Sequence, residues 1–175
     1  KNKLMGEVIK ITSEATTIQV YESTTSLKVG EPVYSSGSPI SLSLGPGILT
    51  NIFDGIGRPL KKIADTYGAF ITSGFQMDSL DPDKEWDVTF TVKKGDEVKF
   101  GDIVATIPET ELIEHRIMVP ENVSGKISDL KPAGKFRVSD VIMTITDTDG
   151  NKHELNLFQR WPIKTARPVS RRLQI

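Results

Sequence analysis

Between residues 44 and 60 the chain concentrates its direction-changing residues: Leu44-Gly45-Pro46-Gly47-Ile48-Leu49, then Phe53-Asp54-Gly55-Ile56-Gly57-Arg58-Pro59-Leu60. Glycines this dense, with prolines among them, force the backbone to turn. Short strand patterns precede the stretch, and the one clear helix pattern follows it, leading into a second β-rich region. It reads as a joint between two units. Gly45 and Gly47, with Pro46 between them, mark structural positions, the two glycines being expected to permit the sharp exit from the first unit.

In the first unit, residues 6–11 and 16–21 are rich in β-branched side chains and flank Thr12-Ser13-Glu14-Ala15, the pattern of a hairpin. Ile18 and Val20 alternate with Gln19 and Tyr21, which predicts one buried face. A turn and another short strand are expected over 27–33. These few strands hold too little core for a closed unit, so further strands are expected beyond the N-terminal end. Both ends read as cut: strand pattern begins within a few residues of Lys1, and Arg171-Arg172-Leu173-Gln174-Ile175 closes no element.

The helix is predicted over 58–68, with Pro59 at its first position and Gly68 ending it. Leu60, Ile63, Ala64 and Tyr67 supply its apolar face. Residues 69–82 read as an irregular domain boundary. Strict alternation over 86–92 (Trp86-Asp87-Val88-Thr89-Phe90-Thr91-Val92) predicts the clearest half-buried strand. Lys94-Gly95-Asp96 and Phe100-Gly101-Asp102 read as turns. Strands are expected at 103–107, 114–119, 124–127 and 138–146. Asp147-Thr148-Asp149-Gly150-Asn151 carries a hairpin signal, with 153–161 as the return strand. The second unit is thus an all-β barrel or sandwich of about eight short strands. Trp86 and Trp161 are expected to pack across its base.

Composition narrows the function. With 37% hydrophobic and 26% charged residues and a formal net charge of −1, the chain is an ordinary folded protein with no pull toward nucleic acid or an anionic membrane. No apolar run reaches the roughly 20 residues that span a bilayer, and no signal-peptide pattern is present. Zero cysteines exclude disulfides, thiolate ligands and a cysteine nucleophile. The cytoplasm is the default compartment.

No G-x-x-x-x-G-K-[ST] phosphate loop occurs in the sequence. His115 and His153 fall in separate predicted strands without a third ligand and read as surface or edge histidines. Acidic residues gather in turns, where turn geometry alone favours them. No catalytic, cofactor or metal residue is therefore assigned. The run Val92-Lys93-Lys94-Gly95-Asp96-Glu97-Val98-Lys99-Phe100-Gly101-Asp102-Ile103-Val104 resembles the biotin- and lipoate-bearing carrier domains. Their acceptor lysine is missing from His115-Arg116-Ile117-Met118-Val119-Pro120. Lys126 and Lys135, in predicted turns, lack the flanking residues. A free-standing carrier or binding module stays open as the alternative reading.

Gly6-Glu7-Val8-Ile9, Ala15-Thr16-Thr17-Ile18-Gln19-Val20-Tyr21-Glu22, Gly30-Glu31-Pro32-Val33, Leu44-Gly45-Pro46-Gly47-Ile48, Phe53-Asp54-Gly55-Ile56, Arg58-Pro59-Leu60, Gly101-Asp102-Ile103, His115-Arg116-Ile117-Met118-Val119-Pro120 and Gln159-Arg160-Trp161-Pro162 follow one another in this order. Together they resemble the amino-terminal part of the catalytic A subunit (alpha chain) family of V-type/A-type rotary ATPases, over essentially the whole chain. Gly57 departs from the family, which usually has Gln there. The resemblance implies a mainly β fold: residues 1–45 a partial N-terminal β-barrel, 46–68 the Gly/Pro joint and linking helix, 69–161 the β-rich bulge domain of carrier-like shape, and 162–175 a linker toward a nucleotide-binding domain. It also implies a parent enzyme coupling ATP hydrolysis or synthesis to proton or sodium transport. ATP/ADP and Mg would be held in the parent subunit, not in this piece. Implied partners are B subunits in an alternating A3B3 hexamer and peripheral-stalk subunits, with no direct membrane insertion. The implied location is the cytoplasmic, peripheral part of a membrane-bound complex.

Overall fold

Alternating β-branched residues close the first hairpin as expected: β1 (Gly6–Ile11) pairs antiparallel with β2 (Thr16–Val20). Thr12 ties the turn, its hydroxyl donating to the Ala15 carbonyl at 3.0 Å. The computed structural model describes residues 3–68, 74, 77–167 and 169. The boundary expected over 69–82 and the linker over 162–175 therefore lie partly outside the described residues, as do Lys1 and Arg171 to Ile175.

Two expectations for this first region fail. Ile18 and Val20 do not bury a face, because among the described residues no second layer covers the hairpin: Val8, Ile9, Ile11 and Ile18 are all exposed. The strand expected near 27–33 is absent; Gly30 turns at φ +85° and Val29 and Val33 point into solvent. A strand the pattern did not announce, β3 (Ser41–Leu44), lies just before the joint.

The helix α1 (Leu60–Tyr67) starts one residue after Pro59, which stands as an extended cap at ψ 112°. Gly68 ends it, its N–H donating to the Ala64 carbonyl. Of the predicted apolar face only Ile63 is fully buried, and Tyr67 is half exposed.

The second region forms two four-stranded antiparallel sheets. One has the order β11 (Lys152–Leu155), β10 (Met143–Thr146), β8 (Gly125–Leu130), β5 (Glu97–Val98). The other has the order β7 (Glu114–Met118), β6 (Ile103–Pro108), β4 (Glu85–Phe90), β9 (Gly134–Arg137). Both contribute to one core through Val88, Val104, Ile107, Ile117, Ile127, Met143, Ile145 and Leu155. The protein is thus mainly β, with a sandwich of eight short strands.

Within it, the strand expected over 138–146 is shorter, because Asp140 folds residues 137–140 into a turn and pairing starts only at Met143. The return strand expected over 153–161 is cut in two. Asn156 breaks it by accepting the Phe158 N–H on its side chain at 3.2 Å, and Leu157 N–H turns to the Val138 carbonyl. The second piece, β12 (Gln159–Pro162), leaves the sandwich and pairs antiparallel with β3, Gln159 opposite Leu44 and Pro162 opposite Ser41. Chain entry to and exit from the joint and sandwich are therefore neighbours.

Candidate functional site

The joint is held by ionic groups largely shielded from water. Asp54 shapes its loop: Oδ1 accepts the N–H of Ile56 at 3.1 Å and of Arg58 at 2.9 Å, while Oδ2 accepts Arg58 Nε at 2.7 Å. Gly55 is exposed at the tip of this loop, and the Gly57 N–H closes it on the Asp54 carbonyl at 3.1 Å. The other end of the Arg58 fork, Nη1, reaches Glu22 Oε1 at 2.7 Å. Glu22 in turn accepts the Gly74 N–H at 2.6 Å on Oε2. The side chains of Arg58 and Glu22 are about nine-tenths buried (10% and 9% exposed), which makes these strong, charge-assisted contacts.

Burial is the largest influence on Asp54 and pushes its carboxyl up. The hydrogen bonds from Arg58 and Ile56 outweigh it and hold Asp54 below the usual carboxylate range. Burial likewise pulls the Arg58 guanidinium down, and its bonds to Asp54 and Glu22 raise it on balance. One cation spans two carboxylates and is spent on them. That arrangement positions backbone; it offers no nucleophile or base to a substrate.

A second set of contacts seats the joint on the sandwich. Gly45 passes so close that a Cβ there would stand 2.7 Å from Leu80 Cδ1 and 2.9 Å from Phe158 Cβ. Gly47 turns at φ +97° with Trp86 Cζ2 3.1 Å from its would-be Cβ. Pro46 between them is fully buried. Glu109, at the end of β6, accepts the Leu49 N–H on Oε1 at 3.0 Å. Trp86 is 5% exposed, and Lys84 Nζ lies 3.8 Å from its ring centroid.

Trp161 differs from Trp86. It is half-buried in β12 opposite Leu42, donates from Nε1 to the Thr165 carbonyl at 2.7 Å, and has Arg167 stacked 4.9 Å from its ring. Pro162 ends that strand. An open groove of about 520 Å³ beside Trp161 is lined by Met118, Asn122, Gln159, Arg160 and Thr165 among others, with no convergent acid–base pair.

Gly101 and Asp102 occupy the turn read from the sequence. Gly101 has φ +84°, and Asp102 exchanges hydrogen bonds with Lys99, side chain to N–H and N–H to carbonyl. Asp96 with Lys93 and Asp140 with Arg137 repeat the same reciprocal turn.

The histidines sit apart. His153 Nε2 lies 3.0 Å from Asp147 Oδ2, and His115 Nδ1 lies 3.8 Å from Glu109 Oε2. Burial pushes His115 down, the Glu109 charge opposing it only in part. Among the described residues no three His, Asp or Glu side chains gather to hold a metal. Lys126 and Lys135 lie in strands β8 and β9, paired with Thr146 and Asp87, not in the turns expected for them. The His115–Pro120 stretch is likewise strand β7 and its end, not a hairpin tip.

Sequence reasoning found the joint but missed two residues that fasten it. Glu22 and Glu109 stand 36 and 60 positions from their partners Arg58 and Leu49, beyond any local spacing rule.

Residues 1–37 match the family model described as "ATP synthase alpha/beta family, beta-barrel domain". Residues 77–164, half the chain, match "ATPsynthase alpha/beta subunit barrel-sandwich domain". The chain belongs to the ATP synthase alpha/beta family. Similar proteins include the V-type ATP synthase alpha chain of Halothermothrix orenii, 49% identical over all 175 residues, and V-type ATP synthase alpha chain 2 of Clostridium tetani, 50% identical over the same length. The A subunit of the A-type ATP synthase of Methanopyrus kandleri is 48% identical over 170 residues, 97% of this chain. The chain spans only 30%, 29% and 29% of these three ATP synthase chains. Within the family, the β-barrel match covers β1 and β2 and the barrel-sandwich match covers β4 to β12, leaving the joint between them.

Proposed function

We propose that this chain is part of a rotary V/A-type ATPase A subunit that couples ATP hydrolysis or synthesis to proton or sodium transport. In this reading ATP, ADP and Mg are bound by other parts of the parent subunit. The described residues serve assembly and contact, the divisions 1–45, 46–68, 69–161 and 162–175 being its working parts. The structural roles assigned to Gly45, Pro46, Gly47, Asp54, Gly55, Arg58, Pro59, Trp86, Gly101, Asp102, Trp161 and Pro162 belong to the same proposal. No described helix is long and apolar enough to cross a membrane; a cytoplasmic, peripheral place in the complex is part of the reading.

The observation that carries the assembly role is the β1–β2 hairpin. Val8, Ile9 and Ile11 are 49%, 54% and 74% exposed on one short sheet, an apolar surface open to cover by another part of the parent chain or by a neighbouring subunit. B subunits in an alternating A3B3 hexamer are the proposed neighbours. The sandwich is the proposed contact for peripheral-stalk subunits, and competition with isolated stalk subunits tests that part. The assembly test is co-expression of the full-length parent chain carrying Ile11→Glu with its B subunit, read by native mass spectrometry. Loss of the hexamer supports the proposal; hexamers at the wild-type level overturn it.

A further inference from the structure

Two buried polar atoms beside the joint have no hydrogen-bond partner among the described residues: Nε1 of Trp86 and Oε2 of Glu109. The first is a donor only and the second an acceptor. Buried groups of this kind are nearly always satisfied, either by protein or by ordered water.

Trp86 lies on β4 and Glu109 directly follows β6, its neighbour in the same sheet. β4 and β6 pair antiparallel with Thr89 opposite Thr106 and Phe90 opposite Ala105. The paired register ends there; continuing its alternation toward the joint would set Val88 against Ile107 and Trp86 against Glu109, and all four are buried. Residues facing each other across such a pair stand about 5 Å apart at Cβ. Both also abut one stretch of the joint, Trp86 at Gly47 and Glu109 at the Leu49 N–H. A third polar atom stands close: His115 Nδ1, 3.8 Å from Glu109 Oε2. That separation is too long for a direct hydrogen bond and within the span of a single bridging molecule.

We propose that this corner of the sandwich is a binding site for one buried water, which accepts from the Trp86 N–H, donates to Glu109 Oε2 and shares its remaining bond with His115 Nδ1. Three protein partners are what a structural water typically has. A cation is disfavoured because the indole presents a donor to the site. With Oε2 held by water, Oε1 is fixed toward the Leu49 N–H. The joint is then fastened to β4, β6 and β7 together rather than to β6 alone. Lys84 Nζ also lies over the Trp86 ring, 3.8 Å from its centroid.

The test is nuclear magnetic resonance on the full 175-residue chain. A cross-peak between the Trp86 indole proton and water, with the sign of a long-lived water, is expected in the wild type and needs no variant to read. Trp86→Phe keeps a ring and removes the donor; it is expected to speed Leu49 amide exchange by about fivefold or more. Absence of the water cross-peak overturns the proposal. So does an indole signal that shifts in Glu109→Gln without any water cross-peak, which would mean a direct Trp86–Glu109 bond. Leu49 exchange unchanged in Trp86→Phe removes the fastening role.

Discussion

Glu22 and Arg58 meet at 2.7 Å across 36 residues of chain, both shielded from water. Arg58 reaches Asp54 with the other side of its guanidinium, so one fork joins the end of the first hairpin to the loop that launches α1. Arg58→Met leaves two carboxylates facing each other without a cation. It is expected to cost about 3–5 kcal/mol of stability. Arg58→Lys restores the charge but not the two-sided fork, and less than half the loss should return. Urea denaturation of the three proteins checks both statements.

Gly47 has neither the conformation nor the room for a side chain. Its φ of +97° strains any L-residue, and the Trp86 ring occupies the space beside it. Gly47→Ala is expected to destabilise by about 1–3 kcal/mol. Gly55→Ala, exposed elsewhere in the joint with nothing within 4 Å of its would-be Cβ, serves as the control. Thermal unfolding of the pair, with the two melting points equal, would refute the packing role given to Gly47.

The two tryptophans should separate cleanly. Trp86→Ala empties a site in the core and is expected to cost about 3–5 kcal/mol. Trp161→Ala removes a half-buried ring, a hydrogen bond to the Thr165 carbonyl and the Arg167 stack, at about 1–2 kcal/mol. Denaturant midpoints for both variants decide the order.

The β10–β11 hairpin should loosen in acid. Asp147, held by His153 first and then by Asn151, has its carboxyl lowered from 3.8 to about 2. A carboxyl lowered by folding adds stability above its unfolded value, and that stability drains away as pH falls toward the folded one. The window is therefore from about pH 3.8 down to about 2. Amide exchange at Asn151, whose N–H bonds Asp147 at 2.8 Å, should rise across this window and be flat in Asp147→Asn.

What could be read beforehand was local. Strict alternation gave β4, and the Gly-Asp pairs gave the turns at 95–96 and 101–102, because an Asp that bonds the N–H three residues back needs no distant partner. The third such turn, at Asp140, has Ser139 in place of glycine and was hidden within an apparent strand. β5 has only two residues and β9 a single apolar one, so neither carries a period. β3 is four residues of Ser and Leu whose partner strand begins at Gln159. Its identity depends on that distant strand. Exposure of the β1–β2 hairpin was equally illegible: alternation shows that a face can be buried, not that a second layer is present to bury it.

The pairing of β3 with β12 makes everything from Gly45 to Phe158 an excursion that departs and returns through one doorway. Strand neighbours stand about 5 Å apart, so a short splice from Leu44 to Gln159 would bridge the gap without rerouting the flanking chain. An appendage attached in that way can lengthen, shrink or change its surface while the backbone on either side keeps its course. Glu22 with its bond to Arg58, and Gln159 with its bond to the Met118 carbonyl, are stay ropes thrown across the doorway that limit how freely the appendage swings.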